Sequence, residues 1–376
     1  MNIKILIDDH IFRIAPSGGI GRLYRELLPR VARRNPKIHF YVLCSEDTVS
    51  MLPKHDQIHP RYLALWDKRL SGGFSKISGL QKRRLDQQIK KLQPDIFHST
   101  YYALPPIEGV KTVATVHDLI DYEFPLLMPN GPGFVDRQRA VLTQADHVIC
   151  VSRSTMDSAV RAFGLTPEGM TTVYNDASAV FQPKRPDVNS NFRKAHTLNK
   201  PFFLFVGEHR SYKNLSTVIR AFGQIRDKTD HLLLLAGHSI YRLEQHFVDL
   251  AIEHRIGDRI IRLHHPSDEL LCQAYSSSDA FIFPSLQEGF GIPLIEAMRC
   301  QTPVIASDIP VFHEICGDAA MYFNPHHSDQ LARSMLAIIE SETKAPIILA
   351  GQEKSKLYSW DKSAELMEGI YVDLVS

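Results

Sequence analysis

Two carboxylates, Glu288 and Glu296, stand with seven residues between them in the run Ser285-Leu-Gln-Glu-Gly-Phe-Gly-Ile-Pro-Leu-Ile-Glu-Ala297. The stretch between them is suited to a phosphate. Gly289 and Gly291 allow a turn in which backbone N–H groups approach an anion closely. Pro293 fits the first position of a helix, where a missing N–H costs nothing. A helix starting there directs its positive end at whatever lies over the turn, with Phe290 and Ile292 beside it. Ionised Glu side chains only accept hydrogen bonds, so a pair flanking a phosphate cradle suits a ligand with hydroxyls on both sides of a diphosphate.

Other candidates are more scattered. Gly207-Glu-His-Arg-Ser-Tyr-Lys213-Asn214 follows an apolar run and precedes a helical one. Cations at a strand end beside a helix N-terminus can clamp phosphate, which nominates Lys213 and Arg210. Gly18, Gly19 and Gly21 form a glycine-rich loop ahead of the first helix, again able to bring backbone close to a diphosphate. His117, followed by Asp118, sits at the end of a buried strand, where doubly wound sheets meet their ligands. Asn175 follows Tyr174 in a step similar to one that a known enzyme family places near its interdomain crossing, and Gly237 ends a very apolar strand. His264 and His265 are candidates for contact with a base. Adjacent residues on a strand point to opposite faces, so neither this pair nor His326-His327 is expected to bind metal.

The elements that must carry these residues alternate. Short Ile- and Val-rich runs at 3–7, 39–44, 96–99, 112–117 and 147–151 read as buried parallel strands. Helical stretches fall between them at 21–34 and 81–92, the latter with Leu85, Ile89 and Leu92 on one face. Residues 183–200, with two prolines, Asn–Ser steps and many charges, read as an interdomain linker. A second series of strands then follows at 202–206, 232–236, 260–263, 280–283, 304–306 and 321–323. The pattern predicts an α/β protein with two doubly wound domains, 1–185 and 186–359. Trp360 opens a final amphipathic helix over about 360–376.

Composition is that of a globular chain of 376 residues, 44% hydrophobic and 23% charged. The net charge of +1 conceals an asymmetry: residues 1–100 hold 18 Lys+Arg against 9 Asp+Glu. A basic front half fits an anionic partner such as a membrane surface or phosphorylated acceptor, or simply a solvated face. Nucleic acid is not among the expected partners. The five cysteines are scattered and form no CxxC, which fits a reducing compartment and neither disulfides nor zinc. No signal-peptide pattern and no spanning-length apolar run occurs, so a cytoplasmic protein with at most a peripheral membrane contact is expected.

The string Glu-Gly-Phe-Gly-Ile-Pro-Leu-Ile-Glu-Ala-Met, over 288–298, closely resembles the E-x7-E signature of the retaining GT-B glycosyltransferases of family 4, the group 1 glycosyl transferases. The resemblance implies two Rossmann-like domains facing across a cleft, with the last helix crossing back to the first. It implies a nucleotide diphosphate sugar as donor and a glycan or lipid-linked acceptor. Glu288 would then bind donor-sugar hydroxyls, Glu296 the ribose, and the turn amides the phosphates. His117 would face the donor sugar, and the Gly18–Gly21 loop would meet phosphate and acceptor. Lys213-Asn214 matches the family's phosphate clamp, whereas Glu208 stands where its Arg is usual, which is why Arg210 is nominated. No Asp-x-Asp triplet occurs, and no cofactor or metal is expected. UDP-hexose, such as UDP-glucose, is slightly favoured over GDP-mannose. Three rivals are an epimerase or phosphorylase on this architecture, a non-catalytic sugar-nucleotide binder, and a dinucleotide oxidoreductase. The last is disfavoured because no G-x-G-x-x-G follows an opening strand.

Overall fold

The runs rich in Ile, Val, Leu and Phe become strands because both their faces are covered, and a fully buried strand satisfies its backbone only through its neighbours. The structure is a computed structural model, which describes residues 2–14, 18–44, 46–62, 87, 89–103, 109–127, 132–208, 210–237 and 244–376. Ser17, Leu85, His238 and most of the helix expected over 81–92 lie outside them. The chain divides into two compact units, Met1–Asn175 with Ser359–Ser376, and Asp176–Tyr358.

The sheet of the first unit comprises β1 (Ile3–Asp8), β2 (Ile38–Cys44), β3 (Ile58–Tyr62), β4 (Ile96–Ser99), β5 (Lys111–Val116), β6 (His147–Cys150) and β7 (Met170–Thr172). Its order is β3-β2-β1-β4-β5-β6-β7, and each pairing is parallel. The order reverses between β1 and β4, which opens a crevice at their carboxyl ends. The second sheet comprises β8 (Phe202–Val206), β9 (Leu232–Gly237), β10 (Ile260–His264), β11 (Ala280–Phe283), β12 (Val304–Ser307) and β13 (Ala320–Phe323). It is also parallel, in the order β10-β9-β8-β11-β12-β13, and reverses between β8 and β11. Phe203, Phe205, Leu233, Leu235 and Ile282 of this sheet pack on Leu215, Val218 and Phe222 of the helix Leu215–Ile225. Each such buried side chain contributes roughly 1.5–3 kcal/mol.

One expectation is corrected. The stretch 183–200 is not a linker, because Pro186–Ala195 is a helix. Pro186 starts it, Phe192 is buried, and Asn189 Nδ2 donates to the Ser276 carbonyl at 3.1 Å. The boundary falls instead after Asn175, and the polar composition of 183–200 reflects a half-exposed helix. The cysteines, though scattered in sequence, are all buried, and the Cys272 and Cys300 sulfurs lie 3.5 Å apart. Finally, part of the basic front half is spent internally. The helix Trp360–Val375 packs on Gly19–Arg34, where Asp361 pairs with Arg30 at 3.2 Å and Glu368 with Arg34 at 3.0 Å.

Candidate active site

In the second unit the site is assembled at the reversal of strand order. The chain leaves β8 at Gly207, whose N–H donates to the Ala236 carbonyl at 3.0 Å. It then makes a short turn over Ser211–Lys213. Asn214 ends that turn in the left-handed region, φ 56° and ψ 37°. Its side chain reaches across to the carbonyls of Pro284 at 3.1 Å and Pro325 at 2.8 Å. The Leu286 N–H donates to the Tyr212 carbonyl at 2.8 Å. These bonds lock the loop after β8 to the loop after β11.

The lock brings two predicted residues together. Lys213 Nζ sits 2.6 Å from Glu288 Oε1, with only 16% and 11% of the two side chains exposed. The ammonium also lies 5.2 Å from the ring centroids of Tyr212 and Phe283, a cation–π arrangement. Burial alone would weaken the hold of Lys213 on its proton, but the facing Glu288 carboxylate outweighs it and raises the pKa well above its ordinary range.

After Glu288 the backbone turns at Gly291, φ 99° and ψ 56°. A Cβ there would lie 3.0 Å from Leu294 Cδ1 and 3.3 Å from rings of Phe283 and Phe312. Conformation and space both demand glycine. The helix begins at Ile292, so Pro293 takes its second position and not the first. Gly291 offers no side-chain cap, and among the described residues the Ile292 N–H has no partner. This is a donor at a positive helix end, as an anion requires. One turn on, Glu296 is 4% exposed, and Tyr275 donates to its Oε2 at 3.2 Å. Tyr275 was not legible as a site residue, since its partner lies 21 residues away on another helix. Arg299, at the end of the same helix, holds Asp176 at 2.6 Å and the Tyr358 carbonyl at 3.3 Å, so the helix anchors both ends of its unit.

Other candidates fall differently. Arg210 is half exposed and pairs at 2.8 Å with Glu208, the acid that stands in the family's usual Arg position. Gly237 ends β9 and accepts from the His265 N–H at 3.2 Å. His265 lies past the end of β10 at φ 46°, so the alternating-face argument for His264 and His265 fails. Their ring centroids are only 4.2 Å apart. Among the described residues no three His, Cys, Asp or Glu side chains are placed to hold a metal ion.

In the first unit, Gly18 is the N-cap and Gly19 and Gly21 lie in the first turn of the helix Gly19–Arg34. The glycines therefore form a helix start and not a loop ahead of one. His117 follows β5 and is 5% exposed. Its Nε2 is 2.9 Å from the Thr100 carbonyl, and the rings of Tyr24 and Tyr101 flank it at 6.1 and 6.3 Å. Burial pushes its pKa down to about 4, against a smaller opposing pull from that carbonyl. Asp118 Oδ1 accepts from the Ile120 N–H at 3.1 Å and so orients the loop. Asn175 is 7% exposed, and its Oδ1 has no partner among the described residues. Asp8, Thr100, His98 and Tyr371, all buried nearby, had no local signature.

Two family models divide the chain between them: Glycosyltransferase Family 4 over residues 17–175 and Glycosyl transferases group 1 over residues 188–354. The chain belongs to the group 1 glycosyl transferases. Among its relatives is the O-antigen chain mannosyltransferase RfbU of Salmonella typhimurium, 31% identical over 230 residues. That match covers 60% of each chain, so it spans less than two thirds of this relative's length. O-antigen chain mannosyltransferase B of Escherichia coli is 24% identical over 365 residues, covering 92% of this chain and 93% of its own. A solved structure, Anabaena Alr3699/HepE in complex with UDP and glucose, superposes with a TM-score of 0.77 at 17% identity. It covers 99% of this chain and 100% of its own, so the α/β fold of this chain is of the GT-B type. Among the described residues no helix is long and apolar enough to cross a membrane.

Proposed function

We propose that this glycosyltransferase moves a hexose from a nucleotide diphosphate sugar to a glycan or lipid-linked acceptor in polysaccharide synthesis, with retention of anomeric configuration and without a metal. The observation that carries the proposal is the Lys213–Glu288 pair beside the Gly291 helix start, with Glu296 fixed one turn further on. Lys213 and the Ile292 N–H meet the charge that develops on the leaving diphosphate, and preorganised donors of this kind act most strongly where water is excluded. Glu288 accepts from sugar hydroxyls and Glu296 from ribose hydroxyls. Among the described residues no side chain stands out as a covalent nucleophile, and the acceptor attacks from the face the nucleotide leaves.

The relatives named as mannosyltransferases move the donor preference away from UDP-glucose and toward an activated mannose. UDP in the Anabaena structure keeps a uridine nucleotide in the comparison. The test is thermal stability against UDP, GDP and their sugars. A ligand at about 100 times its Kd adds about 2.7 kcal/mol. The stabilising sugar nucleotide is then given acceptors, and the product's anomeric configuration is read by NMR. Inversion, or stabilisation by none of these ligands, rejects the proposal.

A further inference from the structure

Thr100 follows β4, the strand between β1 and β5, and so stands between the residues ending β1 and those following β5. Asp8, the last residue of β1, accepts three hydrogen bonds. The Thr100 N–H reaches Oδ2 at 2.7 Å, the Thr100 hydroxyl reaches Oδ1 at 2.6 Å, and the His10 N–H reaches Oδ1 at 2.9 Å. Asp8 is 2% exposed and Thr100 fully buried. Arg13, five residues further on, pairs with Asp9 at 3.0 Å. Burying a carboxylate costs several kcal/mol unless donors replace its water, and here two of these three donors belong to one residue, Thr100.

The Thr100 carbonyl lies 2.9 Å from His117 Nε2 and also takes the Tyr24 hydroxyl at 3.5 Å. A carbonyl only accepts, so Nε2 carries the proton. Neutral His117 then has a lone pair on Nδ1, which has no hydrogen-bond partner among the described residues. We infer that Asp8 and Thr100 are positioning residues for His117: Asp8 clamps the Thr100 peptide, whose carbonyl holds the imidazole in the Nε2–H form and leaves Nδ1 to accept from a hydroxyl of the sugar ligand. The functional half of this inference rests on the glycosyl-transfer reading above. The tautomer half does not.

The test uses the full chain in three forms: wild type, Thr100→Val and Thr100→Ser. Long-range nitrogen–proton NMR of the imidazole rings at about pH 7, with His117→Gln for assignment, reads the tautomer. The wild type and Thr100→Ser should show pyrrole-like Nε2 and pyridine-like Nδ1, and Thr100→Val a mixture. With the stabilising sugar nucleotide, Thr100→Val should lower kcat about tenfold at little change in KM, by analogy with the low end of what metal-bound histidines lose with their outer partner. Thr100→Ser should restore it. Asp8→Asn, which offers one acceptor oxygen where three donors converge, should reproduce the Thr100→Val spectrum. A wild-type His117 protonated on Nδ1 overturns the inference. So does a Thr100→Val protein with unchanged tautomer and kcat. Absence of transfer from every donor would reject the enzymatic reading while the spectra still decide the tautomer.

Discussion

Replacing Gly291 by Ala puts a methyl group where backbone and packing both exclude it. At φ 99° an L-residue is outside its allowed regions, which costs roughly 1–3 kcal/mol. The added Cβ would stand 3.0 Å from Leu294 Cδ1 and 3.3 Å from the Phe283 and Phe312 rings. Overpacking a filled core costs another 1–3 kcal/mol or so. The aromatic neighbours cannot yield easily, since the Phe283 and Phe312 rings stack at 4.8 Å. The sum, about 2–6 kcal/mol, lowers Tm by roughly 4–24 °C at about 2–4 °C per kcal/mol for a cooperative unit of about 150–250 residues. Differential scanning calorimetry reads this directly. Gly257→Ala is the control, because nothing lies within 4 Å of a Cβ there. Equal melting of Gly291→Ala and wild type would refute the claim that this turn must be glycine, and with it the reason the Ile292 N–H is left exposed to an anion.

Three other perturbations probe the same structure. Tyr275→Phe removes a donor to the buried Glu296 carboxylate, so it should destabilise by about 1–3 kcal/mol and weaken nucleotide binding; unchanged urea unfolding would count against the bond. Burial lowers the pKa values of His10, His98 and His117 to about 4, 3 and 4, so the unfolded chain binds more protons below the ordinary histidine range. Stability of the first unit is then full above about pH 6.5 and falls as pH drops toward 4, by up to about 1.4 kcal/mol per pH unit for each histidine; a flat profile from pH 7 to about 5 in denaturant titrations would contradict the neutral assignments. Glu288→Gln frees Lys213 from its carboxylate, so the nucleoside diphosphate alone should bind more tightly, by about fivefold for each kcal/mol, while transfer falls; calorimetric titration with UDP and GDP checks this.

How much of this was legible in the sequence depends on the range of the interaction. The strands at 202–206 and 280–283 were found to the residue, because a fully buried strand is written as an unbroken apolar run; Ile96–Ser99 was found as well, although its second half is His and Ser. β3 and β7 were missed. Ile58–Tyr62 contains His, Pro and Arg, and Met170–Thr172 is three residues long at the sheet edge, so neither makes an apolar run. The Glu288–Glu296 segment was readable because its turn, helix start and acids are all local. Asn214 was seen only as part of a motif; its work is to tie residues 70 and 111 positions away. Asp8 and Thr100 lie 92 residues apart and are linked only by the sheet order.

The two units also treat charge in opposite ways, which bears on what each can do. In the second, a carboxylate and a helix start surround an ammonium whose proton is held well above its ordinary range, so fixed charge is presented at every ordinary pH. In the first, burial strips His98 and His117 of charge, and the polar groups around them are hydroxyls and carbonyls: Thr115 and Tyr371 on His98, Thr100 on His117. Neutral groups of this kind discriminate hydroxyl patterns, because an unmatched buried polar atom is costly. They do little to neutralise a diphosphate. Under the proposed function, phosphate recognition is assigned to Lys213 and the Gly291 turn, and hydroxyl discrimination in the first unit to His117, whose Nδ1 has no partner among the described residues.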